Sequence, residues 1–360
     1  MVFRDAHSYR AAYVNTANLR SALLQLPRSI SDNFMSISDY IHLLAEVMLP
    51  MALLVAAGAW WRRQLGAEGV ALVRGYISTI TLHLFVPALL FASAATATIN
   101  EELLSVPVLV GVGVLISGGV LYLGLRLLAW STIISRPTRA GLLLCGMFGN
   151  VLFMGYPLLH YLYGDMGSQY AVFADMGAST PLLWSLGVWV ASHIGGQQRE
   201  TGHPLINWLK LPPVAAFFSG LLLGHAHLPI TPLVHAARFI GQPTVPVMLL
   251  MLGLSIPWHK MQPNRMVAWV VVYKLILLPL MILGLARFLF GVLRPAQISA
   301  VIESGVPTML MMLTLADRYH LDIETTALTI AWTTIGFLLT LPMWLMVLNL
   351  DPAINRLFVM

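Results

Sequence analysis

The chain has a single cysteine, Cys145, among 360 residues. That excludes a disulfide framework and a metal site built on thiolates. Charge is scarce too. Asp, Glu, Lys and Arg make up 10% of the residues, against about 25% in a soluble domain. A soluble globular domain is therefore excluded. No GxxxxGK[ST] loop occurs, so the phosphate cradle of an ATP-driven pump is missing. The opening segment, residues 1–39, is polar and mixed in charge and lacks the apolar core of a signal peptide. It reads as a surface-lying or disordered tail, and a start at Met35 would leave the first apolar stretch intact. The net charge of +5 sits mostly in short loops between apolar runs. That distribution signals topology, and no nucleic-acid partner is expected.

What the chain does contain is apolar surface. Hydrophobic residues are 58% of it and its mean hydropathy is +0.79, so a lipid bilayer is the expected solvent. A spanning helix needs about 20 mostly apolar residues. Ten stretches meet this: Tyr40–Trp61, Val70–Thr96, Val106–Trp130, Ala140–Tyr163, Gln169–Ile194, Leu211–His227, Leu233–Ile256, Met266–Gly291, Ala296–Tyr319 and Ile323–Leu348. Residues 40–194 form one set of five and residues 211–350 another. A short linker, 195–210, joins them, and 351–360 is a C-terminal tail.

The two sets look like copies. Span two carries VPALLFA around Pro87, and span seven carries VPVMLLM around Pro246. Span four breaks at Pro157 and span nine at Pro307. Five is odd, so a second copy enters the membrane in the opposite sense. The expected fold is an all-α integral membrane protein of ten helices in a five-plus-five inverted repeat, with helices four and nine broken by proline. Arg62, Arg63, Arg74, Arg136, Arg139, Arg199, Lys210, Lys260 and Arg265 then fall on one side, with Glu101, Glu102, Asp165, Arg238 and Arg294 on the other. By the positive-inside rule both termini lie outside. The last inner loop, with Asp317, Arg318, Asp322 and Glu324, and the four arginines of the tail (Arg4, Arg10, Arg20, Arg28) depart from that rule.

The broken segments are the most informative feature. The first runs GNVLFMGYPLLHYLYG from Gly149, the second ESGVPTMLMMLTLADRYH from Glu303. Proline has no N–H to give the helix, and its ring clashes with the preceding turn. Irregular backbone survives at membrane depth only when buried in protein or lining a polar cavity. Paired breaks at matching places in two repeats point to the binding site of a carrier. Each half-helix start presents free N–H groups and about half a positive charge, which suits a carboxylate. The alternative is a pair of packing kinks.

Several stretches resemble the auxin-efflux-carrier family, which includes plant auxin exporters and bacterial organic-acid permeases. FGNVLFMGYPLLHYLYGDMGS is similar to the family's fourth helix through Asn150, Gly155, Pro157 and the YG turn. LHLFVPALLFASA, LKLPPVAAFFSGLLLG, VPVMLLMLGLSI and ADRYHLDIETTALTIAWTTIGFLLTLPMW extend the likeness over about residues 40–350. The resemblance implies that helices four and nine cross at their breaks. A scaffold part and a panel-like part would move against each other in alternating access. The implied substrates are small organic anions: malate- and malonate-type dicarboxylates, or auxin-like carboxylates. Asn150 would contact substrate, Pro157 and Pro307 would be the crossover prolines, and Thr180 aligns with a polar position facing substrate. Family members often dimerise, so a homodimer is a candidate assembly, and the expected location is a bacterial inner membrane. The short link Gly195–Lys210 leaves no long central cytoplasmic loop of the kind many plant members carry.

The substrate-binding candidates are therefore Gly149, Asn150, Gly155, Pro157, Thr180, Gly305, Val306, Pro307 and Thr308. Ionisable residues inside apolar spans face a cavity or a partner, which makes Glu303, Asp175, Lys274, His83 and Glu46 the ion-coupling candidates. Glu303 either titrates or only caps a neighbour, and Asp175 and Lys274 are a candidate pair. Coupling to protons, coupling to sodium through Asn150, Ser304 and Thr308, and drive by membrane potential all stay open; no cofactor is expected. His225, His227 and His235 lack the partners of a metal site. His160 and Asp165 spell the HxxxxD of acyltransferases, an enzymatic alternative, but the pair straddles a helix end; a membrane sensor that keeps the carrier fold without transport is the other alternative. Asp317-Arg318-Tyr319 matches the DRY of seven-helix receptors but follows the ninth span.

Overall fold

A computed structural model describes residues 41–42, 44–127, 134–196, 204–226, 228–256, 258, 261–262 and 265–349. The two terminal tails, together with Arg199, His227 and Lys260, lie outside the described residues. Those described are almost entirely helical, with no strand among them. In chain order we label α1 Leu44–Gly66 and α2 Glu68–Ala95, α3 Glu101–Leu127, α4 Arg136–Met147, α5 Tyr156–Ala174, α6 Pro204–Leu209, α7 Pro212–His225, α8 Thr231–Gly241 and α9 Thr244–Ser255. There follow α10 Arg265–Phe290, α11 Pro295–Ser304, α12 Met311–Arg318 and α13 Ile323–Asn349.

Among the described residues, six helical stretches are long and apolar enough to cross a membrane: α1, α2, α3, the stretch Thr231–Ser255 that contains α8 and α9, α10 and α13. Their surfaces carry large exposed apolar side chains such as Phe239, Phe288 and Leu339, which suits lipid. The other four expected spans are helical but interrupted or short. Ala140–Tyr163 and Ala296–Tyr319 are each split in two. Gln169–Ile194 passes through π turns at Asp175–Ser179, Leu183–Gly187 and Val190–Ile194. Leu211–His227 forms only the 14-residue α7, roughly 21 Å at 1.5 Å per residue.

The interruption of span nine contains Pro307, but the proline of span four does not break its helix where the sequence suggests. Pro50, Pro87, Pro157, Pro181 and Pro279 each follow by two residues a π turn: Leu44–Met48, Thr81–Phe85, Val151–Gly155, Asp175–Ser179 and Tyr273–Leu277. The ring crowds the carbonyl four residues back. A turn closed one residue wider gives it room, as when Tyr156 N–H donates to Val151 O. The helix thus continues through Pro157, and the true interruption lies upstream. Glycine makes the sharp reversals instead. Gly66 (φ 66°) ends α1. Gly164 (φ 61°) folds α5 into two helices so tightly that a Cβ on Gly167 would strike the carbonyl of Leu159.

Packing sorts the helices into two groups. In the first, α1 lies along α9, and α2 packs against α7 and α8. The α1–α9 contact is backbone to backbone: a Cβ on Gly58 would overlap Leu250 O, and one on Gly253 would overlap Val55 O. Gly220 and Gly224, spaced as GxxxG, bring α7 onto the carbonyls of Phe91 and Ala95 in α2. Small residues of this kind let helices approach closely in lipid. The second group contains α3, α4, α5, α10, α11, α12 and α13. The groups meet sparsely, chiefly through α2 against α5 and α9 against the turn Val151–Gly155.

Candidate functional site at two interrupted helices

The two interruptions lie side by side at the centre of the second group. Helix α4 ends at Met147, and helical structure resumes at Val151. Helix α11 ends at Ser304, and α12 starts at Met311. Gly149 and Thr308 form an isolated antiparallel β bridge. Asn150 N–H donates to Pro307 O (2.7 Å) and Met309 N–H to Phe148 O (3.0 Å). Each segment thereby satisfies the backbone that the other's break leaves open. Thr308 is held further: its N–H donates to Thr333 Oγ1 (3.2 Å) and its hydroxyl to Cys145 O (2.8 Å). Gly305 is packed so that a Cβ would meet Pro279. Gly149, Val306 and Pro307 are buried alongside.

Two cavities lie between the helix groups, the first of them against the paired interruptions. One, about 390 Å³, is lined by Arg74 and Ser78 of α2, Met248 and Met251 of α9, and Asn150, Asp175, Thr180, Trp184, Met309 and Met311 from the second group. The first residues of both resumed helices, Leu152 and Phe153 on one side and Leu310 and Met311 on the other, line it. The second cavity, about 490 Å³, is lined by Leu89, Ala92 and Thr96 at the opposite end of α2, by Tyr156, Pro157 and His160 of α5, and by Asp165 and Arg238.

Behind the crossing sits a buried ionisable cluster. Glu303 is 1% exposed, and neither carboxyl oxygen has a hydrogen-bond partner. Its carboxylate fills the place of the missing side chain of Gly155, where an added Cβ would coincide with both oxygens. Lys274, 2% exposed, brings Nζ to 3.2 Å from where a Cβ on Gly149 would be. Asp175 accepts a hydrogen bond from Thr180 Oγ1 (3.0 Å) and faces the 390 Å³ cavity. Asp175 and Lys274 both act electrostatically on Glu303. Glu303 also acts on Lys274, which makes Glu303 a second candidate partner for Lys274 beside Asp175. Asp175 and Lys274 both lie in π turns, whose wider backbone recurs at functional sites.

The structure thus brings Asn150, Thr180, Asp175, Glu303, Lys274 and the two glycine–proline segments into one region. It does not bring His83 or Glu46 there. His83 is exposed and bonded through Nδ1 to Thr79 O (2.9 Å). Glu46 is in the first turns of α1 rather than mid-helix, exposed and 3.7 Å from His42. The HxxxxD pair does not meet: His160 Nδ1 bonds Ser168 Oγ (2.8 Å), while Asp165 pairs with Arg238 (2.9 Å). That exposed ion pair joins the two groups but is worth at most about 1 kcal/mol. His225 bonds its own helix at Leu221 O, and no group of three metal-ligating side chains exists among the described residues. Sequence reasoning missed Arg74, which looks like a loop cation until α2 carries it to the cavity wall. It also missed the methionines and Trp184, since nothing in a run of apolar residues marks which ones face a void.

Comparison with known proteins agrees with this architecture. The model of a family described as "Membrane transport protein" matches residues 73–196 and 203–345. An uncharacterized transporter of Methanothermobacter thermautotrophicus is 26% identical over 276 residues, covering 76% of this chain and 88% of the relative. One of Methanocaldococcus jannaschii is 24% identical over 280 residues, covering 74% and 87%. These relatives are transporters, not enzymes. A match that runs through both halves of the chain, interrupted helices included, makes this protein a member of the membrane transport family to which the auxin efflux carriers belong.

Proposed function

We propose that this membrane transporter is a secondary carrier of small organic anions, working by alternating access with substrate bound where the interrupted helices cross. The observation that carries the reading is the pair of cavities at opposite ends of α2, each between the same two helix groups: one is lined by Asn150, Met309 and Leu310 of the interruptions, the other by Tyr156 and Pro157 of the resumed helix. A sliding of one group on the other would close one cavity and enlarge the other. The sparse contact between the groups favours such a motion. Asn150 offers an amide to the substrate carboxylate, Thr180 a hydroxyl, and the resumed helices their N-terminal dipoles. Gly149, Gly155, Pro157, Gly305, Val306, Pro307 and Thr308 shape and hold that site.

The same reading takes the fold as ten spans in a five-plus-five inverted repeat. The helix pairing supports it. The contact of α1 with α9 and that of α2 with α7 exchange places when the two halves are swapped, and the antiparallel bridge at Gly149 and Thr308 joins the equivalent breaks. We place both termini outside a bacterial inner membrane and take a homodimer as the assembly. Ion coupling falls to Glu303, Asp175 and Lys274, the ionisable groups at the crossing.

The test is uptake of radiolabelled dicarboxylates and of indole-3-acetate into proteoliposomes, with wild type set against Asn150→Ala. Saturable flux that the variant loses supports the reading. Absence of flux for every anion, from well-folded protein, refutes it.

A further inference from the structure

The buried cluster has an unbalanced charge. With all three side chains ionised, Asp175 and Glu303 contribute two negative charges and Lys274 one positive, leaving one negative charge among buried side chains, of which Asp175 alone lines the 390 Å³ cavity. Uncompensated charge at membrane depth is expensive, and such residues pair or become neutral. Two features single out Glu303 as the group awaiting a partner. Both of its oxygens are without a hydrogen bond, and its carboxylate is locked against the backbone of Gly155, at the crossing itself.

The neighbours leave few candidates for that partner. Helix α11 packs on α3, α5, α10, α13 and the turn Val151–Gly155. On α3 the titratable residues are Glu101 and Glu102 at one end and Tyr122 and Arg126 toward the other; on α13 there is only Glu324, at its start. On α5 they are Tyr156, His160, Tyr161, Tyr163, Asp165 and Tyr170, and the turn Val151–Gly155 has none. On α10 they are Tyr273 and Lys274 near the middle and Arg265 and Arg287 near the ends. The charges that act on Glu303 are those of Asp175 and Lys274. A metal cation would need a shell of oxygen ligands. No group of three His, Cys, Asp or Glu side chains that could hold one exists among the described residues, and Lys274 brings its ammonium to the same crossing.

We propose that Glu303, set against the charge of Asp175, holds one proton, and that this proton travels with each monovalent substrate anion, making the carrier an electroneutral proton–anion symporter. The inference rests on the anion-carrier reading above and names its driving ion. With the proton bound, the cluster is neutral and an anion can approach Asn150 and Asp175 without repulsion. With the proton gone, the extra negative charge at Asp175 and Glu303 opposes the anion. Anion and proton therefore favour each other's binding, and the coupling is reciprocal. One proton and one monovalent anion enter together and leave together; no bond to carbon changes and nothing is oxidised.

The experiment uses the full chain in proteoliposomes with a pH-sensitive dye inside and a radiolabelled monocarboxylate outside. Wild type is expected to take up one proton per anion, to ignore an imposed voltage, and to accumulate the anion up to about tenfold under a gradient of one pH unit. Glu303→Gln and Asp175→Asn each leave a cluster that is neutral without a proton. Whatever flux they retain should accumulate no anion, lose its pH dependence and become voltage-sensitive. Anion flux in wild type that is driven by voltage or by sodium, with no proton uptake, overturns the proposal and leaves the carrier reading standing. Absence of any anion flux refutes the carrier reading instead, and an infrared measurement then decides the proton site. A protonated-carboxyl band in wild type that Glu303→Gln removes supports the site, and its absence overturns it.

Discussion

Gly155→Ala tests the geometry of the crossing directly. The carboxylate of Glu303 occupies the space that the new methyl group requires, and Glu303 is 1% exposed, so it has no route to solvent. If the carboxyl end rotates aside, the penalty is an off-rotamer side chain, about 1 kcal/mol. If the backbone of α11 must yield, over-packing costs up to about 3 kcal/mol. Alanine also returns up to about 1 kcal/mol of helix propensity relative to glycine, which blurs a single measurement. A double-mutant cycle removes that term. Thermal and denaturant unfolding of purified wild type, Gly155→Ala, Glu303→Ala and the double variant would give the coupling. We expect the alanine at 155 to destabilise the wild-type background and to become neutral or favourable once the carboxylate is gone. That difference should be at least about 1 kcal/mol. An equal effect of Gly155→Ala in both backgrounds would refute the contact and with it the seat of Glu303.

Three further outcomes follow from contacts elsewhere. Gly253→Ala drives a methyl group into the carbonyl of Val55 and must separate α1 from α9, a loss of about 1–3 kcal/mol. Gly284→Ala meets nothing within 4 Å and should leave the same unfolding curve nearly unchanged. Asp322, which precedes α13, is pushed up by partial burial. Hydrogen bonds from Thr325 N–H (2.9 Å), Thr325 Oγ1 (2.7 Å) and Thr138 Oγ1 (2.8 Å) outweigh this and hold its carboxyl below the usual range. Its contribution to stability is therefore present above the unfolded value of about 3.9 and is lost as pH falls from there through the lower folded value. Unfolding temperature followed from neutral pH to pH 3 should fall less steeply for Asp322→Asn than for wild type.

Much of the architecture is legible in the amino-acid sequence. Long apolar runs mark the helices, and the paired proline-bearing segments mark where two of them fail. The position of failure is not legible. Proline is visible in the sequence, but a π turn absorbs the ring at Pro157, and the chain departs from helix at Phe148–Asn150, where no proline stands. The membership of the site is legible only in part. Asn150, Glu303, Asp175 and Lys274 stand out because polar groups are rare in apolar helices, yet His83 and Glu46 stand out equally and point elsewhere. Arg74 is hidden because a cation near a helix end reads as a topology signal whether or not it lines a void.

The sequence by itself determined the solvent, the helical class and the two segments in which helices are interrupted. Those properties follow from composition and local pattern, which each residue carries wherever it lies. Only the tertiary structure decided which charges lie near one another. It brought Lys274 and Glu303 to the same crossing, and seated a carboxylate in the gap left by Gly155, more than a hundred residues away in the chain. Electrostatic partnership depends on distance and burial, and a linear pattern holds neither.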